Sequence, residues 1–185
     1  MTSPGTVGGS ERLRLFCALT LTDDVLDALE RWHETELRGD VRVVPREHLH
    51  LTLAFLGSRP ADELAGIAEA LRAAAASAAR PIGFDAVRYR ETQSVGMLVL
   101  ADEGGRAARL AEELFDRLEA LDVYDREARP WLPHVTVLRF RRPPRLRPPL
   151  PDLGRFSPSG AAVYHSLLRP TGAQYEILER VALGG

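Results

Sequence analysis

The run His48-Leu49-His50-Leu51-Thr52-Leu53-Ala54-Phe55-Leu56-Gly57 alternates apolar and polar residues from its start, the two-residue period of a strand with one buried face. That period assigns Leu49, Leu51, Leu53 and Phe55 to a core, and His48, His50 and Thr52 to the opposite face. A second run, Trp131-Leu132-Pro133-His134-Val135-Thr136-Val137-Leu138-Arg139, repeats the phrase of histidine, aliphatic residue, threonine, aliphatic residue. One such phrase on a strand is common by chance, whereas two in one chain ask for a joint explanation.

The segments around these runs predict an alternation of strands and helices. Residues 1–11 are rich in Gly, Ser and Thr and read as a disordered tail, leaving 12–185 as one bilobal domain. Leu13–Leu21 reads as a strand. Thr22, followed by Asp23 and Asp24, reads as the cap of a helix with Val25, Leu26, Leu29 and Trp32 on its apolar stripe. His33 on that helix reads as a surface or satisfied core histidine. Val41–Pro45 is a short extended segment, and the first His-x-Thr strand closes at Gly57. Pro60-Ala61-Asp62-Glu63 starts a second helix through about Ala79. Pro81–Glu91 and Val95–Ala101 form a hairpin, Gly104-Gly105 a break, and Arg106–Leu121 a third helix. The proline-rich stretch Arg139–Pro151 cannot be helix and reads as a basic loop. Ala161–Leu168 and Tyr175–Leu183 close the chain as a hairpin. The order predicts an α+β fold with antiparallel sheet, in two pseudo-symmetric lobes each carrying one His-x-Thr strand. No Gly-rich phosphate loop follows the first strand, so neither a dinucleotide fold nor a P-loop fold is indicated.

Composition narrows the function classes. The chain has 185 residues, 45% hydrophobic and 27% charged, as in globular domains, with no apolar run long enough to cross a bilayer and no signal peptide, so the cytoplasm is expected. Cys17 stands alone within an apolar strand, excluding an internal disulfide and a cysteine-based zinc cluster. The formal net charge of -2 gives no global attraction to nucleic acid, so any anion binding must be local.

Period two sets His50 beside Thr52 and His134 beside Thr136. If both strands line one cleft, two imidazoles and two hydroxyls converge there. Two histidines titrating near neutral pH can divide into a neutral base and a protonated acid, and threonine hydroxyls can hold non-bridging phosphoryl oxygens. A phosphodiester matches that set with no metal and no cofactor. A zinc site built from His48, His50 and His134 is the competing arrangement, but no acidic fourth ligand is spaced near them and it leaves the threonines without a role.

The pair His50-Leu51-Thr52-Leu53 and His134-Val135-Thr136-Val137 resembles the signature of the two-histidine phosphoesterase superfamily. More narrowly, it resembles the LigT/ThpR-type RNA 2',3'-cyclic phosphodiesterases, also called 2'-5' RNA ligases. Arg14-Leu15-Phe16-Cys17-Ala18, Trp131-Leu132-Pro133-His134, Ser166 and Gly172-Ala173-Gln174-Tyr175 add to the resemblance, which spans about residues 12–183. It implies two antiparallel-sheet lobes with helices on their outer faces, an active-site cleft between them, and metal-independent opening of a terminal RNA 2',3'-cyclic phosphate to a 2'-phosphate, with the reverse 2'-5' RNA ligation as a second reaction of the same site. On it, His50 is the proton donor to O3', His134 the proton acceptor from water, and Thr52 and Thr136 the phosphate-binding residues.

His48 adds a histidine to the cleft face, as a tuning group or at its rim. Arg139 matches an arginine frequent after the second motif, yet strict alternation sets it opposite His134 and Thr136. It reaches the site if the strand bulges or twists, or through the length of its own side chain. With Arg141 and Arg142 it is a candidate RNA contact, the loop otherwise being solvated. The expected partner is RNA with a cyclic phosphate end, acted on by a monomer with no membrane and no obligatory protein partner. An RNA-end binding module without turnover and a phosphodiesterase of small cyclic nucleotides are the alternatives.

Overall fold

The computed structural model describes residues 11–37, 39, 41–78 and 81–183. Residues 1–10 of the expected tail lie outside that range; the carbonyl of Glu11 accepts a hydrogen bond from Ala61 N–H at 2.8 Å. Eight strands and three helices follow in order: β1 (Arg12–Thr20), α1 (Asp23–Glu36), β2 (Arg42–Val43), β3 (Leu51–Pro60), α2 (Leu64–Ser77), β4 (Phe84–Glu91), β5 (Val95–Asp102), α3 (Arg106–Ala120), β6 (His134–Arg139), β7 (Gly160–Arg169) and β8 (Gly172–Val181).

The strands form two four-stranded antiparallel sheets, ordered β3-β1-β7-β8 and β2-β6-β5-β4. The α+β expectation is met, with one His-x-Thr strand in each sheet. The sheets are not the two halves of the chain, however. The closing hairpin β7–β8 returns to join β1, and the short β2 crosses to pair with β6, Arg42 opposite Arg139. Each lobe therefore needs segments from both ends or from the middle of the sequence, a long-range pairing that local patterns do not encode.

β1 has buried residues from Leu15 to Leu19, because it lies between β3 and β7 with both faces covered. Leu15, Cys17 and Leu19 enter the main core with α2 and α3, and Phe16 and Ala18 form a second small cluster with Ala162 and Tyr164 on the other face. α2 packs against α3, β7 and β8, while α3 also reaches β3 and β5, so the two helices bind both sheets from one side. α3 starts where Gly104 (φ +63°) and Gly105 (φ +65°) take the left-handed conformation. The Asp102 carboxylate accepts from Ala107 N–H (3.0 Å) and Ala108 N–H (2.7 Å), a cap the sequence pattern missed.

Three local expectations change. Thr22 precedes α1 as expected, but its side chain makes no capping hydrogen bond. The second helix does not begin at Pro60, which ends β3 opposite Arg12; one turn of 3-10 helix (Ala61–Glu63) intervenes. His33 is neither on the surface nor satisfied: its side chain is buried and, among the described residues, Nε2 has no hydrogen-bond partner. Burial disfavours the imidazolium and lowers its pKa from 6.5 to about 4, against the opposing pull of Glu30. A depressed histidine pKa gives stability that is present above pH 6.5 and lost as pH falls toward 4, because only the unfolded chain takes up the proton in that window. A His33→Leu variant is expected to lose about 3 kcal/mol less than the native chain across it, read from urea midpoints at the two pH values.

Both His-x-Thr strands contain an irregularity just after the threonine. In β3 the pairing jumps from Ala18↔Thr52 to Cys17↔Ala54, leaving Leu53 as an extra residue, and again at Leu56. In β6 it jumps from Met97↔Thr136 to Gly96↔Leu138, leaving Val137 extra. One inserted residue inverts the inside-outside phase of all that follow. Leu53 with Ala54, and Val137 with Leu138, are therefore consecutive buried pairs. Phe55, expected in the core, is instead 50% exposed beside His50 and Thr52, and Arg139 turns to the face of Thr136. The third residue after each threonine thus enters the cleft.

Candidate active site

The sheets meet along β3 and β6. Trp131, in the approach to β6, ties them together by donating its indole N–H to the Thr52 carbonyl at 3.0 Å. Between the sheets lies a cleft of about 460 Å³. One wall carries Arg14, Phe16, His50, Thr52, Ser166 and Tyr175, and the other Arg42, Thr136 and Arg139.

His50 sits at the head of β3, following the turn Arg46–His48 that replaces the expected start of the strand. Its Nδ1 is 2.8 Å from the His48 carbonyl, which can only accept, so Nδ1 carries the proton in the neutral ring. Nε2 then accepts from the Thr52 hydroxyl at 3.0 Å. Phe16 and Tyr175 surround the ring at centroid distances of 5.0 and 5.6 Å, and Tyr164 lies at 5.7 Å. This apolar setting, joined by the positive fields of His48, His134 and Arg139, lowers the His50 pKa from 6.5 to about 4, burial being the largest cause. His50 is therefore neutral at pH 7.

His134 repeats the arrangement: Nδ1 donates to the Leu132 carbonyl at 2.8 Å, so Nε2 is the atom left for chemistry. Its ring borders a second chamber, which joins the first at Thr52 and Phe55. Thr136 borders the first chamber with His50. The four motif residues therefore gather about Thr52, with the two imidazoles on either side of it.

His48 lines the cleft against Tyr175, ring centroids 4.4 Å apart, and its carbonyl orients His50. Burial lowers its pKa, Arg139 and Arg42 adding to the effect and Glu47 opposing it. Arg42 and Arg139 place two guanidinium groups on one side of the cleft, and Arg14 adds a third that lies 5.1 Å from the Phe55 ring centroid. None of the three makes an ion pair among the described residues. Guanidinium groups left uncommitted in a concave site suit a phosphate.

Arg141 and Arg142 are exposed and do not line either chamber. They follow Phe140, whose N–H donates to the Ser94 carbonyl. Further along, the Glu91 carboxylate accepts from Arg145 N–H (2.9 Å) and Leu146 N–H (2.8 Å), and Trp32 donates to the Pro149 carbonyl (2.7 Å), so the loop is held against the molecule. Among the described residues no three His, Cys, Asp or Glu side chains gather as metal ligands, and no helix is long and apolar enough to cross a membrane.

The single-strand alternation did not reveal Arg42 as a cleft residue, because its position depends on β2 crossing to the second sheet. Arg14 and Phe16, two apart on β1, carried the only sequence signal for their shared face.

A family model described as the 2'-5' RNA ligase superfamily matches residues 22–167. A Thermus thermophilus protein named RNA 2',3'-cyclic phosphodiesterase is 32% identical over 94% of this chain and 91% of its own length. A Methanocaldococcus jannaschii protein of the same name is 21% identical over 90% of this chain and 99% of its own. Among solved structures, TT0787 of Thermus thermophilus superposes with a TM-score of 0.78 at 31% identity, covering 94% of this chain and 99% of that one. E. coli LigT complexed with 3'-AMP superposes at 0.76 with 23% identity, covering 95% and 100%, a likeness of fold.

Proposed function

The chain belongs to the 2'-5' RNA ligase superfamily, and on that footing we propose that it hydrolyses the 2',3'-cyclic phosphate end of RNA to a 2'-phosphate by acid-base catalysis between two histidines. The observation that carries this reading is the matched pair of rings, each with Nδ1 held by a backbone carbonyl two residues earlier, so that Nε2, bonded to the Thr52 hydroxyl in His50, is the atom available for proton transfer.

In the proposed reaction the cyclic phosphate lies against Thr52 and Thr136, whose hydroxyls donate to its non-bridging oxygens, while Arg139 and Arg42 balance its charge. His134 Nε2 removes a proton from water, the water oxygen bonds to phosphorus, and the P–O3' bond breaks. His50 gives O3' a proton, leaving a 3'-hydroxyl and a 2'-phosphate. Arg141 and Arg142 extend the positive surface beyond the cleft toward more of the RNA backbone.

His50 has a pKa of about 4, so this role requires it to gain a proton when substrate binds. A bound phosphodiester anion offsets the positive field of Arg139 and favours the imidazolium. In a histidine NMR titration, His50 is expected to titrate near 4 without ligand and about one pH unit or more higher with a non-reactive phosphodiester bound. An unmoved titration would remove His50 as the acid.

Turnover tests the reading as a whole. An oligonucleotide ending in a 2',3'-cyclic phosphate is expected to be consumed catalytically with a chelator present. Tight binding without consumption would leave an RNA-end binding module instead, and consumption only of cyclic mononucleotides would exclude RNA as the substrate.

A further inference from the structure

Three consecutive residues ahead of β6 each carry one tie. The Trp131 indole N–H donates to the Thr52 carbonyl at 3.0 Å, in the other sheet. The Leu132 carbonyl accepts from His134 Nδ1 at 2.8 Å, and the Pro133 carbonyl accepts from Leu100 N–H of β5 at 3.0 Å. Among the described residues, the Trp131 bond is the only hydrogen bond between the segment 131–139 and β3. Pro133 has a fixed φ and confines Leu132 to extended conformations, so the link from Trp131 to His134 is stiff. A displacement of Trp131 therefore passes to the Leu132 carbonyl, and with it to the His134 ring.

Thr52 engages both sides. Its hydroxyl donates to His50 Nε2 at 3.0 Å while its carbonyl holds Trp131. Three hydrogen bonds, His50 to Thr52, Thr52 to Trp131 and Leu132 to His134, thus connect one imidazole to the other through short stretches of backbone. The helices do not supply this tie. α2 and α3 pack on the sheet faces remote from the cleft, where Leu15 and Cys17 of β1 meet them, whereas Phe16 lines the cleft. Removing a proton on one side of phosphorus and delivering one on the other requires the two Nε2 atoms at a fixed separation, with the entering and leaving oxygens in line.

We propose that Trp131 is a positioning residue for the hydrolysis: its indole N–H, held on the Thr52 carbonyl, sets the separation of His134 from His50. The assignment deepens the two-histidine reading above and rests on it. Trp131 transfers no proton itself and acts through the His134 ring. Its side chain also borders the second chamber, so a direct contact with substrate is the competing role that the test must separate.

Trp131→Phe keeps an aromatic ring and removes the N–H. Its kcat for a cyclic-phosphate oligonucleotide is expected to fall about tenfold to a hundredfold, the effect of misplacing a catalytic group by about 1 Å, with KM within about threefold of native. The second readout is a double-mutant cycle with His134→Ala, measured in single turnovers with enzyme in excess. In that background the positioned group is gone, so adding Trp131→Phe is expected to change the rate by less than about threefold. If Trp131→Phe does not fold, benzothienylalanine at position 131, which keeps the bicycle and lacks only the N–H donor, takes its place in both arms. A kcat within about threefold of native would overturn the assignment. So would an equal loss in both backgrounds, which marks a general structural role, or a raised KM with native kcat, which marks a substrate contact. Failure of the native enzyme to consume the cyclic phosphate at all would instead overturn the hydrolase reading, and this assignment with it.

Discussion

Replacing His134 with alanine is expected to lower kcat for cyclic-phosphate hydrolysis by about 10²–10⁴-fold, the contribution of one positioned acid or base. Its ring is only partly buried and makes one hydrogen bond, to the Leu132 carbonyl, so the variant should unfold at a urea concentration close to the native one. KM is expected to change little, because Thr52, Thr136 and Arg139 still meet the phosphate in this account. Near-native kcat would remove His134 from the chemistry. A large rise in KM with kcat retained would make it a binding group.

The second large effect falls on stability. Phe16 is 1% exposed, stacked on Tyr164 at 4.8 Å and 5.0 Å from the His50 ring. Phe16→Ala is expected to cost about 3–5 kcal/mol, the range for emptying a buried aromatic position. The same cavity lies beneath His50 and lets water reach its ring. Burial is the main cause of the depressed His50 pKa, so that pKa is expected to rise toward 6.5 in the variant. Denaturant unfolding checks the first outcome and a histidine NMR titration the second. A cost below about 1 kcal/mol would mean that the small cluster of Phe16, Ala18, Ala162 and Tyr164 does not support the cleft floor.

The chemistry of the site was legible in the sequence to the extent that it is local. His50 with Thr52, and His134 with Thr136, are two apart on a strand, and the period of two sets each pair on one face with no knowledge of the rest of the fold. The pattern failed at the next residues. Leu53-Ala54-Phe55-Leu56 is apolar throughout, so nothing in it reveals the extra residue that turns Phe55 out to the cleft. Arg139 did carry a signal: a charged side chain on the buried phase of an alternation implies a break in that phase, and the bulge at Val137 supplies it. Pairing partners were the least legible part. Arg42 reaches the cleft because β2 leaves the first half of the chain and pairs with β6, and no local feature of Arg42-Val43 encodes that choice. His33 shows the same limit in the core. Its place next to Trp32 on an amphipathic helix is compatible with either face, and only the packing reveals a buried ring whose Nε2 has no partner among the described residues.

Phe55 and Arg139 occupy equivalent places, each three residues after a motif threonine and each following a bulge. Pseudo-symmetry in this protein is therefore kept at the strand level, where the residues face the cleft. It is not kept in the sheets, since β3 is an edge strand and β6 lies between β2 and β5. An edge strand and an inner strand can present the same three-residue face because the cleft requires side-chain direction, which register and bulges fix, and places no demand on the neighbours of the strand.

The position of the phosphate in the product tests the central claim most directly, because it reports which ester bond the acid histidine protonates. An oligonucleotide with a terminal 2',3'-cyclic phosphate is treated with the native enzyme, and its end is then challenged with a phosphatase specific for 3'-phosphates. The two-histidine account, with His50 donating to O3', predicts a 2'-phosphate that resists this treatment. A 3'-phosphate, removed by the phosphatase, would contradict it.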